Sequence, residues 1–231
     1  MTAVELVADH DLRAPARVVD WVLAISGDDA REPEAELLDG SGVLLEGELN
    51  LRLQEMRGAV AGSRVDLEIE RGQRRGRGWL GTRGAVLVHP LPDGRARAVM
   101  VPIPTLVDAL VRLNDVGPRP RVEPAIRIQA VPSELATALA TRDAAQMPLG
   151  DAAQRTAFVA LVGSLREHWR VGVHWDPAAG ALSGREIEVL DTDLGYWLVV
   201  PDGPTVDLWP TTPTEVFRGL CRLFPLMTEL S

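Results

Sequence analysis

"WPTTPTEVFRGLCRL" (Trp209–Leu223) repeats the plan of "VPIPTLVDALVRL" (Val101–Leu113). Each opens extended, passes a Pro-Thr pair and closes on a helix ending Leu-x-Arg-Leu. The likeness continues upstream. "PDGRARAVMVPIPT" (92–105) and "PDGPTVDLWPTTPT" (201–214) share Pro, Asp, Gly, Pro and Thr at a constant offset. "GAVLV" (84–88) matches "GYWLV" (195–199) once a small length difference in the turn is allowed, and "SRVDLEIE" (63–70) resembles "WRVGVHWD" (169–176). The ordered series points to an internal duplication with a period far longer than short solenoid repeats.

Each copy has a physical reading. Leu49, Leu53, Met56 and Val60 recur at helical spacing, and so do Phe158, Leu161, Leu165 and Trp169 in the second copy. Val65, Leu67 and Ile69 alternate as a half-buried strand. Two antiparallel strands follow around each Pro-Asp-Gly turn. Thr212, Pro213 and Glu215 have the spacing of an N-cap, N1 and N3 capping box. Leu106, Leu110 and Leu113 give the earlier helix its apolar face. Each half therefore reads α-β-β-β-β-α. The expected fold is α+β: duplicated halves, about 46–114 and 151–225, within one domain spanning 1–231, sharing a mainly antiparallel central sheet flanked by helices and related by a pseudo-twofold axis. Around them, helices are expected near 15–26, at "PEAELL" (33–38) and at "PSELATALATRDA" (132–144), with a proline-rich crossover at 115–132.

Composition sets bounds. The chain has 231 residues, 46% of them hydrophobic, and a net charge of −9. That supports a folded core and disfavours general nucleic-acid binding. All basic residues other than histidine are arginine, so lysine-dependent chemistry is excluded. One cysteine, Cys221, precludes an internal disulfide and suits a reducing cytoplasm. No signal peptide is expected at "MTAVELVADHDLRAPARVV", and no apolar run has the length of a membrane span.

At "EVLDTDLGYWLVV" (Glu188–Val200) the sequence resembles the C-terminal signature of the EspG family, chaperones associated with type VII (ESX) secretion in actinobacteria. "AVMVPIPTLVDALVRLNDVGPRPR" (98–121) and "LLDGSGVLLEGELNLRLQEM" (37–56) resemble its middle and N-terminal regions. The resemblance implies a cytosolic chaperone that binds a secreted helical substrate, PE–PPE-like or WXG-motif-like, through the central sheet and C-terminal helices. The chain departs by carrying Gly195-Tyr196 where many members have Gly-Arg.

Catalytic signals are weak. His10, His89, His168 and His174 have no zinc spacing. Cys221 reads as a core or semi-buried thiol. Glu186 and Glu188 read as a solvated strand face. "RGQRRGRG" (Arg71–Gly78) reads as an exposed connection, rich in arginine. Trp169, Trp175, Trp197 and Trp209 all fall in the second half, with Met100 in the first at the place of Trp209. The expected activity is binding without catalysis, with no cofactor and no metal. The expected contacts are Trp197, Trp209, Phe217, Leu220, Phe224 and Leu226, with Arg74 and Arg75 at the rim. No nucleic acid or membrane insertion is expected, and a homodimer stays open. The alternative is a small-molecule module or enzyme on the same fold, using His168, His174, Glu186 and Asp191.

Overall fold

The computed structural model describes residues 4–25, 33, 38, 40–123, 126–147, 149–176, 182–226 and 229–230. Most of "PEAELL" lies outside them. In chain order the elements are β1 (Glu5–Ala8), β2 (Asp11–Ala14), α1 (Ala16–Leu23), β3 (Leu44–Leu45), β4 (Glu48–Leu49), α2 (Leu51–Ala61), β5 (Val65–Arg71), β6 (Arg74–Leu80), β7 (Ala85–Pro90), β8 (Ala96–Val101) and α3 (Leu106–Leu113). They continue as β9 (Ile128–Ala130), α4 (Pro132–Thr141), α5 (Ala152–Gly163), β10 (Leu165–Trp175), β11 (Ser183–Thr192), β12 (Gly195–Asp202), β13 (Thr205–Thr211) and α6 (Pro213–Leu223). The order α-β-β-β-β-α occurs from α2 to α3 and again from α5 to α6. The class is α+β. No helix among the described residues is long and apolar enough to cross a membrane.

Eleven strands form one sheet in the order β1-β2-β8-β7-β6-β5-β10-β11-β12-β13-β9, and β3 pairs β4 separately. The hairpins expected around the Pro-Asp-Gly turns are present: β7 pairs β8 and β12 pairs β13, both antiparallel. Gly94 and Gly203 take positive φ in those turns, where a side chain would be strained.

The chain divides into two compact units, Met1–Ala109 with Gly172–Gly184 and Pro225–Ser231, and Leu110–Val171 with Arg185–Phe224. In the first, Val18, Val19 and Val22 of α1 and Leu53 and Met56 of α2 bury against Leu12, Val86, Val88 and Ala98 of the sheet. In the second, Leu135 and Leu139 of α4 and Phe158 and Leu161 of α5 bury against Leu190, Trp197, Val199 and Leu208. Strand alternation supplies one apolar face to each core.

Several sequence expectations change. The stripe through Leu165 and Trp169 is not helical: α5 ends at Gly163, and both residues lie buried on β10. Their spacing fits a helical face, but the run beyond Trp169 alternates, with Val171, Val173 and Trp175 buried. "RGQRRGRG" is not a loop. Arg71 ends β5, Arg74 begins β6, and the turn is only Gly72-Gln73. Cross-strand register sets Glu70 against Arg75 and Glu68 against Arg77, so opposite charges stabilise the hairpin. A Cβ on Gly76 would sit 2.8 Å from the carbonyl oxygen of Val88, which explains glycine in a strand. The hairpin β1–β2 and the short strand β9 inside the proline-rich crossover were not expected.

Candidate functional site

Alternation along β12 and β13 builds the site in the second unit. Trp197 and Val199, with Val206 and Leu208, point into the core. Leu198, Val200 and Trp209 therefore share the opposite face. Leu198 is paired directly with Trp209. Trp209 is 45% exposed, and the Arg127 guanidinium lies 5.0 Å from its ring centroid, a cation–π contact. Arg127 also ion-pairs with Asp207 and, at 3.4 Å, with Asp202. The Asp207 hydrogen bond holds the Arg127 guanidinium above its ordinary pKa.

Helix α6 covers this face of β11. It starts at a complete capping box: Thr212 Oγ1 accepts the Glu215 amide, and a Glu215 carboxylate oxygen accepts the Thr212 amide at 3.1 Å. Val216, Leu220 and Leu223 are buried. A Cβ at Gly219 would lie 2.5 Å from Cδ1 of Ile187, so the missing side chain lets helix and strand approach closely. At the far end, Arg185 donates to the carbonyl oxygens of Arg222 and Phe224, satisfying helix-end acceptors. Between α6 and the strands lies a hollow of about 450 Å³, walled by Ile187, Leu198, Val200, Pro201, Leu223 and Arg222. Val200 and Phe217 are exposed nearby in sequence on its strand and helix.

The structure sorts the residues expected at a contact surface. Trp209 and Phe217 are exposed, as is Leu226 at 68%, and Phe224 is half-buried. Trp197 and Leu220 are corrected: both are buried, Trp197 in the α4–α5 core and Leu220 under α6. They support the surface from below and offer it no atoms. Arg74 and Arg75 are exposed on β6, and Arg75 pairs with Glu70 at 3.3 Å. Cys221 is exposed, against the expectation of a core or semi-buried thiol, because the apolar stripe of α6 runs through Val216, Leu220 and Leu223 instead.

The polar residues considered for an enzyme have structural partners. His168 Nε2 lies 2.7 Å from Glu188, Glu186 is 3.5 Å from Arg170, and His174 is 3.9 Å from Glu68. Asp191 is buried and accepts two bonds from Arg119, at 2.8 and 2.9 Å. Arg119 lies 5.5 Å from the centroid of the Tyr196 ring, and the Tyr196 hydroxyl accepts the Gly117 amide at 3.1 Å. Burial pushes the Tyr196 phenol above its usual pKa. Gly195 has φ of 138°, and a Cβ there would meet the Pro120 carbonyl at 2.7 Å. The Gly195-Tyr196 departure thus clamps the proline-rich crossover to the hairpin. The sequence held the signal, an aspartate one strand from an aromatic and an arginine between prolines, but gave no way to pair them.

No protein-family model matches the chain, and no curated protein matches it. Its fold does match a solved one. A structure of the Mycobacterium tuberculosis type VII secretion system chaperone EspG5, in complex with a PE25–PPE41 dimer, aligns with a TM-score of 0.64. The alignment covers 96% of this chain and 100% of that one, at 10% sequence identity. The likeness is one of fold, and at that level the EspG resemblance read from the sequence holds.

Proposed function

We propose that this chain is a cytosolic, non-catalytic chaperone that binds a helical type VII secretion substrate, PE–PPE-like or WXG-motif-like, and shields its apolar tip. The observation that carries the reading is a fold shared along nearly the whole of both chains with a chaperone solved in complex with its PE–PPE dimer. Exposed Trp209, Phe217 and Val200 support it, because large apolar side chains outside a core mark interaction sites when they gather. In the second unit Phe224 extends the proposed contact set, over Trp197 and Leu220; in the first unit Leu226, Arg74 and Arg75 are proposed contacts of their own. The ion pairs of His168, His174, Glu186 and Asp191 favour binding over acid–base chemistry.

Co-expression with a PE–PPE-like pair or a WXG-motif-like protein of the same genome tests the proposal. The expected result is a complex stable through size-exclusion chromatography with light scattering. Phe217→Asp abolishes it and leaves the melting temperature of the free chaperone unchanged. A chain that stays alone with every such candidate, or a homodimer that Phe217→Asp separates, overturns the proposal.

We also propose that residues 46–114 and 151–225 are copies of one ancestral unit within a single domain. Their common element order and hairpin plan support this. Close relatives whose two stretches align no better than shuffled segments would remove it.

A further inference from the structure

The outward side of α6 carries two parallel rows. Phe217 and Cys221 stand one helical turn apart, and Arg218 and Arg222 stand one turn apart beside them. All four residues are exposed. Neither arginine ion-pairs with a carboxylate among the described residues. The charge of Arg218 helps lower the Glu215 pKa, behind the hydrogen bonds from Thr211 and Thr212. Like charges one turn apart weaken a helix, so the arrangement works against α6 on its own.

The chain holds 33 acidic residues against 24 arginines. The acids nearest this part of the fold are already engaged. Asp207 binds Arg127, Glu215 closes the cap of α6, Glu186 pairs Arg170, and Glu188 pairs His168. Arg218 and Arg222 therefore have no ion pair with a carboxylate among the described residues, and Arg222 lines the apolar hollow together with Glu186 and Glu188.

We infer that the outward face of α6 selects its partner by charge: it takes an amphipathic helix whose apolar ridge is flanked by two carboxylates one turn apart. This rests on the chaperone reading and names the chemistry of its client. Phe217 receives the ridge, and Arg218 and Arg222 beside it receive the carboxylates. A second copy of this chain does not fit. Antiparallel packing of α6 on α6 would set arginines against arginines, and parallel packing would set them against Phe217 and Cys221, with no carboxylate row in either.

Three synthetic amphipathic helices of about 20 residues, long enough to hold helical structure, test the inference against the full chain. They share one leucine ridge and carry a Glu, Gln or Lys pair at i, i+4 beside it. Fluorescence anisotropy reads affinity at low and high salt. The expected order is Glu, then Gln, then Lys, with roughly tenfold between Glu and Lys for two exposed pairs. High salt compresses the order. The double variant Arg218→Glu, Arg222→Glu, checked for native circular dichroism, inverts it. Equal binding of all three helices, lost on Phe217→Asp, overturns charge selection and leaves the chaperone reading intact. Binding of none overturns the inference, while the co-expression experiment decides the chaperone reading separately. A dimer by light scattering that occupies α6 overturns it as well.

Discussion

The hairpins β7–β8 and β12–β13 are built alike and dressed differently. Val86 faces Met100 in the first, and Trp197 faces Pro210 in the second. The position of Trp209, opposite Leu198, is therefore that of Val99, opposite Leu87, and not that of Met100. A one-residue slip in strand register moves a side chain to the other face, which is why matching Pro104-Thr105 to Pro213-Thr214 misled the comparison. At the corrected register the first hairpin buries Leu87 and half-buries Val99, whereas the second exposes a tryptophan. Two residues along, on the same face, Arg97 of β8 is bound to Asp11, with contacts of 2.8 and 2.6 Å, while Asp207 of β13 is bound to Arg127. In each hairpin an ion pair ties the outer strand to the segment beside it, and the two pairs have opposite polarity. The shared scaffold fixes where a pair belongs. It leaves free which partner is the acid and which surface is dressed for contact.

The largest expected effect comes from the clamp found only in the second half. Asp191 and Arg119 are both almost inaccessible, at 4% and 11% side-chain exposure. Counting back four residues from Gly195, which opens β12, and from Gly84, which precedes β7, sets Asp191 and Leu80 at like positions. Asp191→Leu copies the first half into the second and strands the Arg119 guanidinium. Removing one member of a buried pair costs about 3–5 kcal/mol. Urea denaturation should register that loss with Tyr196 still native in the folded baseline. A loss under about 1 kcal/mol would mean the clamp is ornamental.

Next comes the inverted ion pair. Asp207→Arg sets two guanidiniums side by side and should lower the melting temperature clearly. Adding Arg127→Asp gives the second half the polarity of the first and should recover most of the loss, as coupled neighbours do in a double-mutant cycle. In the first half, Asp11→Ala should cost about 1–2 kcal/mol, because Arg97 is only partly shielded from water. A swap that recovers nothing would show that polarity is fixed by surroundings beyond the pair.

The sequence carried the class, the two hairpins, the α6 capping box and the order of helices and strands around them, because apolar periodicity and turn residues are local signals. It missed what depends on pairing at a distance. β1, β2 and β9 are three or four residues long, too short to show alternation, and exist because neighbouring strands offer them an edge. Arg74 to Arg77 looked like a loop because glycine and arginine suggest one. They form a strand because Gly76 and Gly78 fit under the neighbouring strand and Glu68 and Glu70 face the arginines. Trp209 and Phe217 were legible as exposed aromatics only as types, and Trp197 and Leu220 show the limit of that reading. Which side of a strand is wet is decided by the helices that cover it.

The smallest effect separates the two closing helices. α6 begins at the Thr212–Glu215 box, whereas α3 follows a 3₁₀ turn in which the Thr105 hydroxyl donates to the Pro102 carbonyl. Thr212→Ala should cost about 1 kcal/mol, and Thr105→Ala only a few tenths, since no helix amide depends on it. The box also titrates. The Thr211 hydroxyl, and after it the Thr212 amide, holds the Glu215 pKa below its ordinary value. A depressed carboxylate contributes stability that is present above its unfolded pKa and fades as pH falls through the folded one. The stability difference between the parent and Glu215→Gln should therefore be full near neutral pH and shrink below about pH 4, near the ordinary glutamate value. A difference that persists unchanged into acid would assign the contribution of Glu215 to packing, and would remove the one titratable contrast between α6 and α3.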